Sequence, residues 1–232
     1  HIDCMEYMAG LPDKAFDLAI VDPPYGIGED GGTNHTRGKL CKARTFAAKG
    51  WDVSPPGIEY FSELRRVSAN QIVWGANHFI NRIPYGSPCW VVWDKENGAT
   101  DFADCELAWT SFSSAVRRFK FKWQGMLQQD MANKEARIHP TQKPVALYRW
   151  LLQNYAKPGQ RILDTHLGSG SIAIACDIEG FDLVGCEIDA DYIKAARHRL
   201  AVHQSAPRLF EAAPAGLPKQ LSLGDDVLSD GT

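Results

Sequence analysis

Two stretches of the chain combine residue types that could do chemistry. The first is Asp22-Pro23-Pro24-Tyr25, directly after the apolar run Phe16 to Val21. Two prolines remove two backbone donors and fix two φ angles, so strand pairing must end there. The result is a rigid, extended exit from a sheet that carries one carboxylate and one aromatic ring. Alone it reads as a structural stop or as an acceptor and a ring held ready for a ligand. The second stretch is RILDTHLGSGSIAIA, a strand, a turn with Gly168 and Gly170, then a helix. Glycines let the backbone come close to a ligand, and the helix N-terminus favours negative charge. Downstream, FDLVGCEID is another strand ending in Glu187, placed to accept hydrogen bonds from ribose hydroxyls. The spacing satisfies G-x-G-x-x-[GA], with Ala173 third, so a dinucleotide site and mere close helix–strand packing are both open readings.

These residues need a scaffold, and the rest of the chain supplies one. Strand-like runs are expected at Phe16–Val21, Gln71–Trp74, Cys89–Trp93, Cys105–Thr110, Arg161–Leu163 and Asp182–Cys186. Helical spacing is expected over Glu59–Val67 and over Gln142–Tyr155, with Thr141 as its N-cap. Further helices are expected over Ser171–Glu179, stopped by Gly180, and after Asp189 through Ile193, Ala196 and Leu200. Continuous strands alternating with amphipathic helices predict an α/β fold, a mostly parallel sheet with helices on both faces. Only residues 188–232 follow Glu187, so the other strands of a nucleotide-binding sheet must come from the N-terminal half.

The composition is that of an ordinary soluble chain: 44% hydrophobic, 23% charged, net charge −3. This excludes a histone-like basic protein but leaves room for basic residues gathered on one face. No apolar stretch is long enough to span a membrane, and a cytoplasmic location is expected. Six cysteines without CxxC spacing give no sign of a metal site or a disulfide framework; Cys89, Cys176 and Cys186 sit in or beside apolar runs and are expected to be buried thiols. Residues 1–204 are expected to form a single domain and residues 205–232 an extension or tail. Within the domain, 28–57 is a basic loop longer than ordinary connections, and about 95–137 is a candidate recognition segment.

Three motifs in order carry a resemblance: DPPY at 22–25, HPTQKP at 139–144 and DTHLGSGS at 164–171. The chain resembles the β-class amino-directed DNA methyltransferases, which methylate adenine N6 or cytosine N4 and place DPPY before the cofactor motif. The resemblance covers roughly residues 1 to 200. One departure is Asp164-Thr165-His166-Leu167, where the family usually has Asp-Pro-Phe before the glycines. The resemblance implies a Rossmann-like methyltransferase sheet with the two motif-bearing strands as neighbours, and S-adenosyl-L-methionine as cofactor, leaving as S-adenosyl-L-homocysteine, without a metal. It implies a cofactor site of Asp3, Cys4, Asp22, Thr141, Gln142, Lys143, Asp164, His166, Leu167, Gly168, Ser169, Gly170, Ser171, Glu187 and Ile188. Within that set Glu187 would hold the ribose, Asp3 and Cys4 would lie by the adenine, and Thr141, Gln142 and Lys143 would border the methionine end.

For catalysis the resemblance points to Asp22, Pro23, Pro24 and Tyr25. Asp22 would accept one hydrogen of an exocyclic amino group and the Pro23 carbonyl the other, turning the nitrogen lone pair toward the transferred methyl. The base would have to leave the duplex, with Tyr25 stacking on it. Asp22 favours adenine, because cytosine-N4 members more often carry Ser there. Double-stranded DNA is the expected partner, gripped by Arg37, Lys39 and Lys42 in the loop after DPPY and by Arg117, Arg118, Lys120 and Lys122. Those last four fit equally an edge strand with its charges outward. A homodimer and a restriction-enzyme counterpart are compatible with this reading, as is a bacterial or phage source with the enzyme at the nucleoid. Cytosine N4 or RNA as target, an NAD-type oxidoreductase and a silent DNA-binding module are the alternatives. Pro88-Cys89 resembles a cytosine-C5 nucleophile, but the motif order is wrong and Cys89 is expected in the core.

Overall fold

A computed structural model describes residues 1–33, 45–98, 103–124 and 127–206. In chain order the elements are α1 (Cys4–Ala9), β1 (Phe16–Val21), β2 (Gly32–Thr33), β3 (Thr45–Phe46), α2 (Ile58–Val67) and β4 (Ser68–Trp74). Two 3₁₀ turns (Ala76–His78 and Ile80–Arg82) lead to β5 (Trp90–Asp94), β6 (Cys105–Thr110) and β7 (Arg117–Lys120). Then come α3 (Val145–Tyr155), β8 (Arg161–Asp164), α4 (Ser171–Glu179), β9 (Asp182–Gly185) and α5 (Ala190–Ser205).

Seven strands form one sheet in the order β7-β5-β6-β4-β1-β8-β9. The pairs β4–β1, β1–β8, β8–β9 and β5–β7 are parallel, while β6 runs antiparallel to both β4 and β5. β1 is buried on both faces, which is why its sequence is a continuous apolar run rather than an alternating one. Leu18 and Ile20 pack with Leu147, Leu151, Ile172 and Ala175 of α3 and α4. Ala19 and Val21 pack on the other face with Tyr60, Phe61 and Leu64 of α2 and Met8 of α1. The mostly parallel α/β sheet covered on both faces is the fold expected.

Most elements fall where the residue pattern put them, with three differences. Thr141 does not cap α3, which starts at Val145 with Pro144 at the N-cap and no side-chain cap bond. Proline disfavours helical geometry in the residue before it, so residues 139–143 form a bonded loop in which the Gln142 N–H donates to the His139 carbonyl. The short α1 went unnoticed in the sequence; the Asp3 carboxylate caps it by accepting from the Met5 and Glu6 N–H groups. The 28–57 loop contains a small antiparallel pair, β2 with β3. Arg37, Lys39 and Lys42, and the 205–232 extension beyond residue 206, lie outside the described residues. Of the 95–137 stretch, β6 is a central sheet strand and β7 an edge strand. Cys89, Cys176 and Cys186 are buried as expected. Among the described residues no helix is long and apolar enough to cross a membrane.

Candidate active site

Every parallel strand of the β4-β1-β8-β9 half ends at the same edge of the sheet. That edge therefore gathers Gly75 after β4, Asp22 after β1, Asp164 at the end of β8 and Glu187 beyond β9. Chain order reverses between β1 and β8, the point at which ligands settle in such sheets. The DPPY and DTHLGSGS motifs are thus side by side, carried by strands paired through Leu18–Ile162 and Ala19–Leu163.

On the β1 side the site is a closed cluster of charge. Lys143 Nζ lies 2.5 Å from Asp22 Oδ2 and 3.2 Å from Glu106 Oε2, with only 3% of its side chain exposed. The Tyr25 hydroxyl donates to Asp22 Oδ1 at 2.7 Å and receives a bond from Lys143 Nζ at 3.0 Å. A second lysine, Lys95, pairs with Glu106 from the other side. Two carboxylates and two ammonium groups therefore balance within the protein. Such burial is tolerable only because every charge has a partner. The environments separate the two acids. Burial lifts Asp22 above the usual carboxylate range against the pull of Lys143. For Glu106 burial acts the same way, but Lys143 and Lys95 together overcome it and hold the carboxyl at about 2. Burial alone would lower the pKa of Lys143, and the two carboxylates reverse that and raise it. Asp22 is thus the better proton acceptor, and Glu106 is a fixed counter-ion.

Glu106 was not foreseen, for a topological reason. β6 runs antiparallel, with Trp74 opposite Ala108, so its N-terminal end reaches the edge where β1 and β4 terminate. An acid near the start of an apolar run was the only available signal. The same holds for Asp52, which is 2% exposed and accepts from the N–H groups of Gly26 (2.7 Å), Ile27 (3.3 Å) and Glu29 (2.8 Å). It fixes the chain leaving DPPY. The close approach of Pro55 to Gly26, whose φ is +73°, leaves no room for a side chain at that position.

On the β8 side the site is made largely of backbone. A pocket open to solvent is lined by Ile2, Asp3, Cys4, Thr165, His166, Glu187 and Ile188. Glu187 Oε2 accepts from the Gly168 N–H and Oε1 from the Asp189 N–H, both at 2.8 Å. A carboxylate offers about four lone-pair sites, so each oxygen is held in place and keeps capacity for a hydroxyl. Gly168 and Gly170 have φ of +49° and +68°, and a Cβ on Gly170 would come within 2.9 Å of Ala196 Cβ. Burial keeps His166 neutral, with a pKa near 4, and its Nδ1 lies 2.9 Å from Thr165 Oγ1. Burial, with Asp22 and Glu187 nearby, pushes Asp164 up to about 8 although the His166 N–H donates to it.

Other residues expected at the cofactor are engaged inside the protein. Gln142 Oε1 accepts from the Ile138 N–H, and its Nε2 donates to the Ala136 carbonyl. Ser171 Oγ donates to the Lys143 carbonyl and receives Arg199 Nη1. Leu167 packs against Gly185. Thr141 Oγ1 is 3.2 Å from His139 Nδ1, and the His139 ring stacks at 5.2 Å with Trp51. Lys143 stands at Asp22 rather than at the pocket. Arg199 also reaches Glu135 at 2.5 Å and so ties α5 to the loop that carries Lys143. Far along the sheet, Arg118 is 3.9 Å from Asp94 and Lys120 is 2.8 Å from Glu96. The interleaved Phe119 and Phe121 turn to the core, Phe119 meeting Trp150 of α3 at 5.4 Å.

Comparison with known proteins places this arrangement. The family described as N6_N4_Mtase, DNA methylase, matches residues 73–198, a span holding the 139–144 and 164–171 motifs. The type II methyltransferase M.HinfI of Haemophilus influenzae is 25% identical over 99% of this chain and 76% of its own length. M.HpaI of Haemophilus parainfluenzae, also a type II methyltransferase, is 23% identical over 85% and 72%. Among solved structures, an M1.HpyAVI–SAM complex is 20% identical, with a TM-score of 0.52 over 86% of this chain and 97% of that one. The cytosine-N4-specific PvuII DNA methyltransferase has a TM-score of 0.54 at 11% identity, over 90% and 86%. These last two share the fold. With more than half of its length matched by the family, and a buried acid cluster beside a glycine turn at the switch point of its sheet, the chain belongs to the N6_N4_Mtase family of DNA methylases, the amino-directed methyltransferases of adenine N6 or cytosine N4.

Proposed function

We propose that the protein methylates the exocyclic amino group of a flipped-out adenine in double-stranded DNA, using S-adenosyl-L-methionine. The observation that carries this reading is the position of Asp22, half-buried beside the buried Lys143 at the end of β1, next to the pocket at the ends of β8 and β9. That pocket fits an adenosine: apolar Ile2 and Ile188 flank it, and the Glu187 carboxylate, fixed by two N–H groups, offers acceptors to ribose hydroxyls. Asp3, Cys4, His166, Glu187 and Ile188 would hold that end, with the glycine turn at 168–171 supplying backbone. When bound, the cofactor supplies a sulfonium-activated methyl group.

The chain's own work is orientation and proton handling. Asp22 accepts one hydrogen of the amino group, and the main-chain carbonyl of Pro23 offers a second acceptor. The prolines hold both rigidly, so the nitrogen is presented in one direction. Asp22 is the group raised in basicity by burial, and it takes the proton that the methylated nitrogen releases. Glu106 stays ionised and keeps Lys143 between the two acids. Tyr25, its hydroxyl held by Asp22 and Lys143, offers its ring to the base. Aspartate rather than serine at position 22 supports adenine over cytosine. Arg117, Arg118, Lys120 and Lys122 would meet phosphates, from β7 and the residues just after it, with three strands between β7 and β1.

Methylation-sensitive sequencing of DNA from cells expressing the protein tests this directly. N6-methyladenine at one short sequence is the expected result. N4-methylcytosine would overturn the choice of base, and methylated RNA with unmodified DNA would overturn the substrate.

A further inference from the structure

The ring of Tyr25 is not free in the structure. Besides Lys143, whose ammonium stands 5.4 Å from the ring centroid and is tied to Asp22 and Glu106, three groups lie against it. Gly75, at φ +68°, comes so close that an added Cβ would stand 2.0 Å from Tyr25 Cε1. Phe79, fully buried, meets the ring at 6.3 Å and 55°. The His78 imidazole stacks on it at 5.1 Å, with only 16° between the planes. The first is backbone and the second is locked in the core with Phe61, its ring 5.4 Å away. His78 differs from both. It is exposed, it ends the 3₁₀ turn Ala76–His78, and none of the hydrogen bonds found among the described residues holds its ring.

We propose that His78 is the resident occupant of the base-stacking position on Tyr25 and that the flipped base displaces it. This rests on the reading that Tyr25 stacks on the target base. The argument is one of elimination. A planar base needs a ring face, and the phenol itself cannot turn away without breaking the bonds its hydroxyl makes to Asp22 and Lys143. Gly75 and Phe79 cannot yield. A base inserted between Tyr25 and His78 has no room, because with centroids 5.1 Å apart the two rings are already in stacking contact with each other. The only group that can give way by side-chain rotation is His78. Stacked, it keeps the Tyr25 ring oriented and its face dry until DNA arrives.

The substitution His78→Ala removes the occupant and touches neither the charge cluster nor the pocket. With unmethylated plasmid DNA and a tritiated methyl donor, KM for DNA should fall about 3- to 10-fold, the worth of one aromatic pair, while kcat is retained. The fall should vanish in a Tyr25→Leu background. A rise in KM, or a loss of kcat in the otherwise normal enzyme, would mean that His78 grips the base and would overturn displacement; an unchanged KM would overturn it too. A second readout needs no variant. The Tyr25 ring current should shift the His78 Cε1–H signal upfield in the free protein. That shift should collapse on saturation with a short duplex carrying the methylated site's sequence. A shift that persists in an active complex refutes displacement, whereas a wild-type enzyme that methylates no DNA refutes the functional reading instead.

Discussion

The two ends of the crevice are built on opposite plans. At the end of β1 the site is side chains: Asp22, Glu106 and Lys95 neutralise one another around the buried Lys143. At the ends of β8 and β9 it is main chain: glycine turns and N–H groups that fix one carboxylate, Glu187. The first plan makes every member depend on the others, because a buried charge stripped of its partner costs more than the pair contributed. The second distributes the work over peptide groups, which substitutions other than proline leave in place. The end at β1 should therefore fail sharply and the end at β8 and β9 gradually.

That contrast can be broken at four places, in decreasing order of expected effect. Asp22→Ala should slow methyl transfer by at least about 10³-fold while calorimetry shows cofactor affinity within a few-fold; retained transfer would show that the acid cluster is only structural. Glu106→Ala leaves Lys143 and Lys95 sharing one carboxylate, so unfolding free energy should drop by about 3 kcal/mol, with Glu106→Gln recovering part of it. An unchanged melting temperature would mean the charges are solvated and independent.

The third prediction concerns pH. Asp164 binds its proton up to about pH 8 in the folded chain, against 3.8 for an ordinary carboxyl. Between those values the native state carries a proton that the unfolded chain lacks, so this group makes stability fall as pH rises. His166 and His139, both held near 4 instead of 6.5 mainly by burial, act in the opposite sense, but only below pH 6.5. From pH 6.5 to 8, as the histidine effect fades, the contribution of this acid to stability should decline by about 2 kcal/mol. Asp164→Asn, which keeps the acceptor for the His166 N–H, should flatten that slope; a slope that survives belongs to another group. The smallest effect is expected at Glu187→Gln, about tenfold in cofactor affinity, with kcat unchanged. A larger loss there would place the two ends on the same footing.

Legibility in the sequence followed the same divide. The strand carrying Asp22 and the turn at 168–171 announce themselves because their residues are consecutive, and backbone constraints by Pro and Gly are local. The strands at 16–21 and 105–110 and the helix at 171–179 have the bounds that periodicity assigns. Glu106, Asp52 and Lys95 stayed hidden, since their meaning depends on which strand runs antiparallel and which loop folds back. The contact of Lys143 with Asp22 stayed hidden for the same reason: Pro144 delays α3, and the loop before it turns the side chain to Asp22. Phe119 and Phe121 look like base-stacking rings between basic residues, but only the placement of α3 reveals which face of β7 is covered.

The clamp at Asp52 works like a knot at the neck of a loop. One carboxylate gathers the N–H groups of residues 26, 27 and 29, so the chain that departs after Tyr25 and the chain that returns before Pro55 are fastened together at their roots. The path of the backbone beside Asp22 is therefore set at the neck, whatever sequence the loop beyond it carries.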